Sequence, residues 1–276
     1  GRSDGIRGNA DLHQLGRDLG RVLDAAVPTG PVVVVGHSMG GMTVMTFALQ
    51  RPELFGPRIR GVVLLGTAAG HDIPGHPFEN VTRHLARRRL LSPLLSLLRF
   101  LAPGLELLRP RNTQLMRRLT RALAFGSADA NPSLVAQVQQ MLEQPPLTTL
   151  AGLQGSVLRH DARNAMPVLA RVPVSIVAGE DDRLIRVEHS LALKRALGQA
   201  AELVVLPGVG HALNRSASYD VNDAIDRLLD RAMLTEVSTT AQPSSHHNAR
   251  VRGSTSGTTA ATTGATSRTD IAQGAT

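Results

Sequence analysis

Ser38 lies in a pattern that is typical of a nucleophilic serine, Gly36-x-Ser38-x-Gly40, within the stretch GHSMGG. An apolar run of strand length precedes it and a stretch of helical length follows, which is the context that the pattern requires. Glycines permit a sharp turn, so the serine hydroxyl would be exposed at the N-terminus of a helix. There the backbone N–H of Met39 could donate to a developing oxyanion. Taken alone, the motif is also compatible with a glycine-rich turn that carries an incidental serine.

A serine hydroxyl is a weak nucleophile, so the chain must also supply a base and a carboxylate that orients the base. His211 follows the apolar run in AELVVLPGVGH, and Glu180, Asp181 and Asp182 follow the run VSIVAG. Loops that leave parallel strands at their carboxyl ends meet at one edge of the sheet, where the turn with Ser38 also lies. A loop histidine by itself would carry little weight, but the order serine, acid, histidine favours a hydrolytic triad.

Apolar runs that alternate with helical patterns predict how these residues are positioned. The runs that we interpret as buried strands are residues 32–35, 61–67, 174–179 and 201–208. Apolar residues at three- and four-residue spacing predict a helix over residues 11–26, with Asn9 as its cap. The alternation predicts an α/β fold with a mostly parallel sheet flanked by helices.

An insertion divides the predicted core. Residues 71–169 contain no convincing strand and several Leu- and Arg-rich helical stretches, so we interpret them as a helical cap between the two parts of the core, residues 1–70 and 170–235. The final segment, residues 236–276, is low in apolar residues and dense in Thr, Ser, Ala and Gly. Such a segment buries too little surface to offset its ordering entropy, and we expect it to be disordered.

These motifs resemble those of the α/β-hydrolase fold superfamily. GHSMGG resembles its nucleophile elbow, GEDD its acid loop and GVGH its histidine loop. The resemblance implies a cap-bearing serine esterase or lipase-like enzyme in which Ser38 attacks, His211 moves the proton and Asp182 orients His211. Asp181 is the second candidate for the acid. An acyl-enzyme intermediate is implied, and neither a metal nor an organic cofactor.

The same resemblance implies parts that this sequence does not display. The superfamily's early strands would precede residue 1, so we expect an N-terminally truncated member whose N-terminal strands are missing. Its second oxyanion donor, usually in an H-G motif after an early strand, has no match here. Esters, thioesters and carbon–carbon bonds stay open as substrates, and a non-catalytic binding protein or inactive fragment of the same fold is the alternative.

His37 adjoins the nucleophile, but its side chain should leave the turn on a different side from that of Ser38. We therefore interpret His37 as a residue that lines the substrate pocket and not as the base. With Met39 at the oxyanion position, it completes the set of substrate-binding candidates.

Composition limits the partners. The chain has no cysteine, which excludes disulfides and thiolate metal sites and fits a reducing cytoplasm. Its formal charge of +8 comes with 29 arginines and one lysine, but only 2% of its residues are aromatic, too few for the stacking platforms of single-strand binders. No apolar run is long enough to span a bilayer. We expect a small, apolar acyl ester as the substrate and no nucleic-acid partner.

Two arginine clusters accompany apolar residues in the predicted cap. They are Arg83, Arg87, Arg88 and Arg89, and then Arg109, Arg111, Arg117, Arg118 and Arg121. Solvated helix faces explain such clusters in the simplest way. The alternative is an interfacial lid whose leucines touch acyl chains or a membrane while its arginines meet phosphates.

Overall fold

Four parallel strands form the sheet that positions the candidate residues. A computed structural model describes residues 11–70, 91–107, 113–127 and 131–240. The strands are β1 (Val32–His37), β2 (Ile59–Leu65), β3 (Val174–Gly179) and β4 (Ala201–Leu206). They pair in the order β1-β2-β3-β4, and every pair is parallel. The predicted parallel α/β sheet is confirmed, and the carboxyl ends of all four strands share one edge.

Helices connect the strands and cover the sheet. In chain order the α-helices are α1 (Leu12–Ala26), α2 (Met39–Gln50), α3 (Leu91–Leu107), α4 (Gln114–Ala124), α5 (Pro132–Glu143), α6 (Leu147–Leu158), α7 (Met166–Leu169), α8 (Val187–Leu197), α9 (Leu213–Ser216) and α10 (Ser218–Thr240). Within the described part of the chain, none of them combines the length and the apolar character that crossing a bilayer demands.

Helix α1 begins at a capping aspartate. The Asp11 carboxylate accepts a hydrogen bond from the N–H of Gln14 at 2.6 Å, which satisfies one of the donors that a helix N-terminus leaves without an intrahelical partner. The predicted cap, Asn9, lies outside the described residues. The cap therefore falls two residues later in the chain than the sequence pattern indicates.

Side chains of the central strands alternate between two apolar clusters, because successive residues of a strand point to opposite faces. Val62 and Leu64 of β2 pack into one cluster with residues of α2, α7 and α8. Val63 and Leu65 pack into the other, with residues of α10. Burial on both faces explains why these strands are apolar throughout.

The described residues of the inserted region form helices α3 to α6 and hold no strand. Helix α3 packs against α6, α4 packs against α5, and α6 also contacts α1 of the core. The first predicted arginine cluster lies outside the described residues, as do Arg109 and Arg111 of the second. Arg117, Arg118 and Arg121 lie on the exposed side of α4.

Two boundaries predicted from the sequence need correction. The predicted cap extends to residue 169, but Met166, Val168 and Leu169 of α7 pack in the core cluster beside β2 and β3. A short apolar helix has the same pattern in a cap as in a core, so periodicity does not separate the two. The tail is predicted to start at residue 236, but helix α10 continues to Thr240, so the predicted start is too early. Residues 241–276 lie outside the described residues.

Candidate active site

Ser38 occupies the turn between β1 and α2 in a strained backbone conformation. Its φ is 53° and its ψ is −120°, and among the described residues it is the one non-glycine residue with a positive φ. Such a conformation costs a residue with a β-carbon about 1–3 kcal/mol, and it persists only where the surrounding structure enforces it. The sharp turn predicted from GHSMGG is therefore present, with Ser38 at its apex.

Backbone and side-chain hydrogen bonds hold this turn. The N–H of Ser38 donates to the carbonyl of Leu65 at 2.9 Å, and the hydroxyl of Thr67 donates to the carbonyl of Ser38 at 2.7 Å. Thr67 is buried and lies two residues after the end of β2. Sequence reasoning did not identify Thr67. Its position after a strand at the same sheet edge is the signal that could have indicated it.

The glycines of the motif contribute unequally. A β-carbon at Gly36 would lie 2.7 Å from the backbone of Gly41, and one at Gly41 would lie 2.6 Å from the Thr67 side chain. A β-carbon at Gly40 would meet nothing within 4 Å. The close approach of strand and helix thus requires glycine at positions 36 and 41, which corrects the emphasis that the sequence pattern places on Gly40.

His211 joins the serine to a carboxylate. Its Nε2 lies 2.9 Å from the Ser38 hydroxyl oxygen, and its Nδ1 lies 2.7 Å from Oδ2 of Asp182. A carboxylate oxygen accepts and does not donate, so Nδ1 carries the proton and Nε2 presents its lone pair to the serine hydroxyl. The structure brings Ser38, Asp182 and His211 into one hydrogen-bonded line.

The two neighbouring aspartates face different parts of the molecule. The Asp182 side chain is fully buried, and its Oδ1 accepts hydrogen bonds from the N–H groups of Leu184 and Ile185, each at 2.8 Å. Asp181 instead accepts from the N–H of Ser127 at 2.7 Å. Hydrogen bonding from the side chain of Ser127, and then from this N–H, lowers the pKa of the Asp181 carboxyl group. Of the two acid candidates, Asp182 alone contacts His211.

His37 contacts the residue that carries the base. Its Nε2–H donates to the backbone carbonyl of His211 at 2.8 Å, and the two imidazole rings have centroids 4.9 Å apart. Burial lowers the pKa of His37 below its ordinary value, and the neighbouring His211 ring lowers it further. His37 is therefore a neutral donor, and its ring nitrogen bonds to the His211 loop and not to the Ser38 hydroxyl.

A small apolar cluster joins α1, α2 and the segment after β2. Leu12, Met42 and Ala68 form a buried cluster, against which the half-buried Met39 and three further residues pack. Those residues are Leu15 of α1, Val157 of α6 and Ile185 of the acid loop. Met39 is the first residue of α2, so its N–H has no intrahelical acceptor.

No group of His, Asp and Glu side chains among the described residues has the arrangement of a metal site. A separate apolar cavity of about 370 Å³ lies between α7, α8 and the segment after β2, lined by Ala69, Met166, Pro167 and Ala192 among others. None of Ser38, Asp182 and His211 lines it. This cavity is therefore not part of the candidate active site.

Known proteins resemble this chain in sequence and in structure. Residues 1–215 match the family described as serine aminopeptidase, S33. A pimeloyl-[acyl-carrier protein] methyl ester esterase from Xanthomonas oryzae pv. oryzae is 30% identical over 216 residues, which cover 75% of this chain and 74% of that protein.

Solved esterase structures share the fold. An esterase from Thermogutta terrifontis superposes with a TM-score of 0.64 at 22% identity, covering 84% of this chain and 76% of that one. The esterase EaEST from Exiguobacterium antarcticum superposes with a TM-score of 0.62 at 14% identity, covering 82% and 76%. The chain therefore belongs to the serine aminopeptidase S33 family, and it is a hydrolase with the α/β-hydrolase fold.

Proposed function

We propose that this protein is a serine esterase that cleaves carboxylic esters through an acyl-enzyme, with Ser38, His211 and Asp182 as its catalytic triad. The observation that carries the proposal is the line of two hydrogen bonds, 2.9 Å from Ser38 Oγ to His211 Nε2 and 2.7 Å from His211 Nδ1 to Asp182 Oδ2. A nucleophile, a base in the required tautomer and a buried orienting carboxylate are the three parts that such catalysis needs.

The proposed reaction has two halves. Ser38 Oγ bonds to the ester carbonyl carbon while its proton passes to His211 Nε2, and the carbonyl oxygen becomes an oxyanion that accepts from the N–H of Met39. The intermediate collapses when His211 returns the proton to the departing alcohol. Water then attacks the acyl-enzyme and gives a proton to His211 Nε2. The bond between the acyl carbon and Ser38 Oγ breaks as His211 passes that proton to Oγ, which releases the acid and restores the free serine. Asp182 stabilises the imidazolium in both halves.

The acyl side of the substrate is apolar in this proposal. Met39, which directly follows Ser38, packs with Val157 and Ile185 on one apolar cluster, and each of the three is only half-buried. Burying an acyl chain against such side chains is favourable at about 0.8 kcal/mol for each methylene group. The curated relative at 30% identity is named as a methyl ester esterase, which supports an ester with a small alcohol.

His37 positions the base in the same proposal. Its hydrogen bond fixes the carbonyl of His211, and its neutral ring adds no charge beside the imidazolium that forms during the reaction. Its role is thus exerted through the His211 backbone. Lining of the substrate pocket, the role predicted from the sequence, is compatible with its half-buried ring.

The test measures hydrolysis of p-nitrophenyl acetate, butyrate and octanoate by the full chain and by Ser38→Ala. The rate of ester hydrolysis should be lower in Ser38→Ala than in the wild type by about 10⁴-fold or more. A fluorophosphonate probe should label the wild type at one site and leave Ser38→Ala unlabelled, while Ser133→Ala on α5 serves as the matched control. Hydrolysis of an amino-acid p-nitroanilide in preference to every ester would overturn the ester proposal. A folded chain that neither hydrolyses nor takes up the probe would favour a non-catalytic binding protein.

A lipid surface as the source of the substrate is a second candidate, favoured by the outer face of α4. Leu115, Leu119 and Leu123 recur every four residues and are 62%, 44% and 43% exposed. Arg118 and Arg121 lie on the same helix. Co-sedimentation with vesicles of phosphatidylglycerol and phosphatidylcholine should weaken in Leu115→Ser/Leu119→Ser. Equal sedimentation of both proteins would remove this candidate and leave the esterase proposal intact.

A further inference from the structure

Residues 122–127, which we name the strap, are the last three residues of α4 and the three that follow it, and they contact the loop that carries His211, which we call the base loop. The carbonyl of Ala124 accepts from the N–H of Ala212, the residue after His211, at 2.7 Å. Phe125 is 2% exposed and packs with Ala212 and with Val135 of α5. The inserted region is thus fixed to the base loop both by a backbone hydrogen bond and by a small apolar cluster.

The strap also contacts the loop that carries the acid, on both sides of Asp182. The N–H of Ser127 donates to Oδ2 of Asp181 at 2.7 Å, and Nη1 of Arg183 donates to the carbonyl of Ala122 at 3.0 Å. Asp181, which the sequence offered as a second candidate for the acid, binds the strap with its side chain. One short segment therefore holds the neighbours of both the acid and the base.

The strap and the base loop have their backbones in close contact where the two segments cross. A β-carbon at Gly126 would lie 2.2 Å from the carbonyl oxygen of Gly208 and 2.7 Å from Cβ of Asp181. A β-carbon at Gly210 would lie 2.5 Å from the N of Gly126. The φ of Gly126 is not positive, so the close approach and not the backbone conformation requires glycine there.

We propose that the strap is a positioning segment for the catalytic residues: it holds the Asp182 and His211 loops at the spacing that aligns them with Ser38. The inference rests on the proposed function, because the alignment matters only if the three residues act as a triad. Gly126 permits the close crossing, and Asp181 anchors the strap to the acid loop. The inserted region then serves hydrolysis of every ester, including those too small to reach its helices.

Gly126→Ala tests the crossing. The new methyl group meets a carbonyl oxygen that cannot move without the base loop, and a displacement of about 1 Å at a catalytic group lowers a rate by about 100-fold. We expect kcat for p-nitrophenyl acetate to fall by about that factor, with KM changed less than about twofold. Gly104→Ala in α3 is the matched control, because a β-carbon there meets nothing within 4 Å.

Asp181→Ala and Asp181→Asn test the anchor at a position that is only half-buried, where folding should tolerate either change. Alanine removes the acceptor for the Ser127 N–H, and kcat should fall about fivefold to tenfold at an unchanged melting temperature. Asparagine keeps an acceptor oxygen and should restore kcat to within about twofold of the wild type. Rescue by asparagine separates positioning from a need for charge.

The outcomes distinguish this inference from the proposed function. If the wild type hydrolyses esters and Gly126→Ala and Asp181→Ala both keep the wild-type kcat, the strap does not position the triad. If Asp181→Ala loses kcat only in proportion to a lower fraction of folded protein, the strap is merely structural and the inference is wrong. An inactive, unlabelled wild type would overturn the proposed function itself.

Discussion

The sheet and the inserted helices use large apolar side chains in opposite ways. Leu64 of β2 and Ile176 of β3 are at most 1% exposed, whereas Leu97 and Phe100 of α3 are 53% and 81% exposed. Full burial of such a side chain favours folding by about 1.5–3 kcal/mol, a contribution that the exposed residues do not make. The difference indicates that the sheet supplies the stability of the fold, while the inserted helices leave apolar surface available for contact.

The two neighbouring aspartates give the largest expected contrast between these regions, since Asp182 faces the core and Asp181 faces the strap. Asp182→Asn should lower kcat for p-nitrophenyl acetate by about 10⁴-fold, because the amide favours the wrong tautomer of His211. Asp181→Asn should stay within about twofold, as its acceptor oxygen remains. Steady-state kinetics of both variants checks this. The opposite ranking would assign the acid to Asp181.

Stability should separate the regions next. Ile176→Ala leaves a cavity between β3 and the helices packed on it, and the free energy of unfolding should fall by about 2–5 kcal/mol. Leu97→Ala removes an exposed side chain and should change it by less than about 0.5 kcal/mol. Urea unfolding followed by circular dichroism gives both values. Equal losses would mean that the inserted helices contribute to the core as much as the strands do.

A pair of buried threonines sharpens the comparison further. Thr67→Val removes the hydroxyl that donates to the strained Ser38 carbonyl, which should cost about 1 kcal/mol of stability and lower kcat about tenfold. Thr120→Val, at a buried position of α4, should leave kcat within about twofold. Steady-state kinetics and thermal unfolding of the two variants test this prediction. A Thr67→Val protein with the wild-type kcat would show that the turn holds its geometry without this hydroxyl.

The smallest expected effect is on how the stability of the folded protein depends on pH, and it arises from His37. The pKa of His37 is lower in the folded protein than its ordinary value, so the unfolded chain binds the proton more readily. The stabilising contribution of neutral His37 is present above about pH 6.5 and is lost as the pH falls through its folded value. His211 and Asp182 are the titratable groups that act on His37. Both are present in the wild type and in the variant His37→Gln, which tests this contribution.

Melting temperatures between pH 7 and pH 5 should therefore fall more steeply in the wild type than in His37→Gln. His13→Gln, at an exposed position of α1, should follow the wild type. Parallel curves for wild type and His37→Gln would contradict the prediction and indicate that His37 titrates normally.

Features that depend on residues close together in the sequence could be predicted from the sequence. All-apolar runs predicted the four parallel strands. Burial on both faces accounts for the apolar sequences of β2 and β3, but β1 and β4 are only partly buried, with Val35 46% and Val205 38% exposed. GHSMGG predicted the turn at Ser38, since strand, turn and helix follow directly along the chain. Strand order at a shared edge indicated that Ser38, Asp182 and His211 lie together, and they do. Their catalytic roles remain predictions.

Features that depend on contacts between residues far apart in the sequence could not be predicted from it. Gly41 is required by Thr67, and Gly126 by Gly208, so each need is set by a residue far along the chain. Adjacent aspartates have the same local pattern, and only the path of the loop decides which of them faces His211. The strap looks like an ordinary helix end in the sequence, because nothing local reveals what it crosses.

The backbone of Ser38 bears on how such a sequence changes over generations. A residue with a β-carbon is strained at a φ of 53°, whereas glycine adopts this region freely. Selection for a stable fold alone would therefore favour glycine at position 38. A lineage that ceased to need the reaction would gain stability by losing this serine, so position 38 is where the decay of activity should first be recorded.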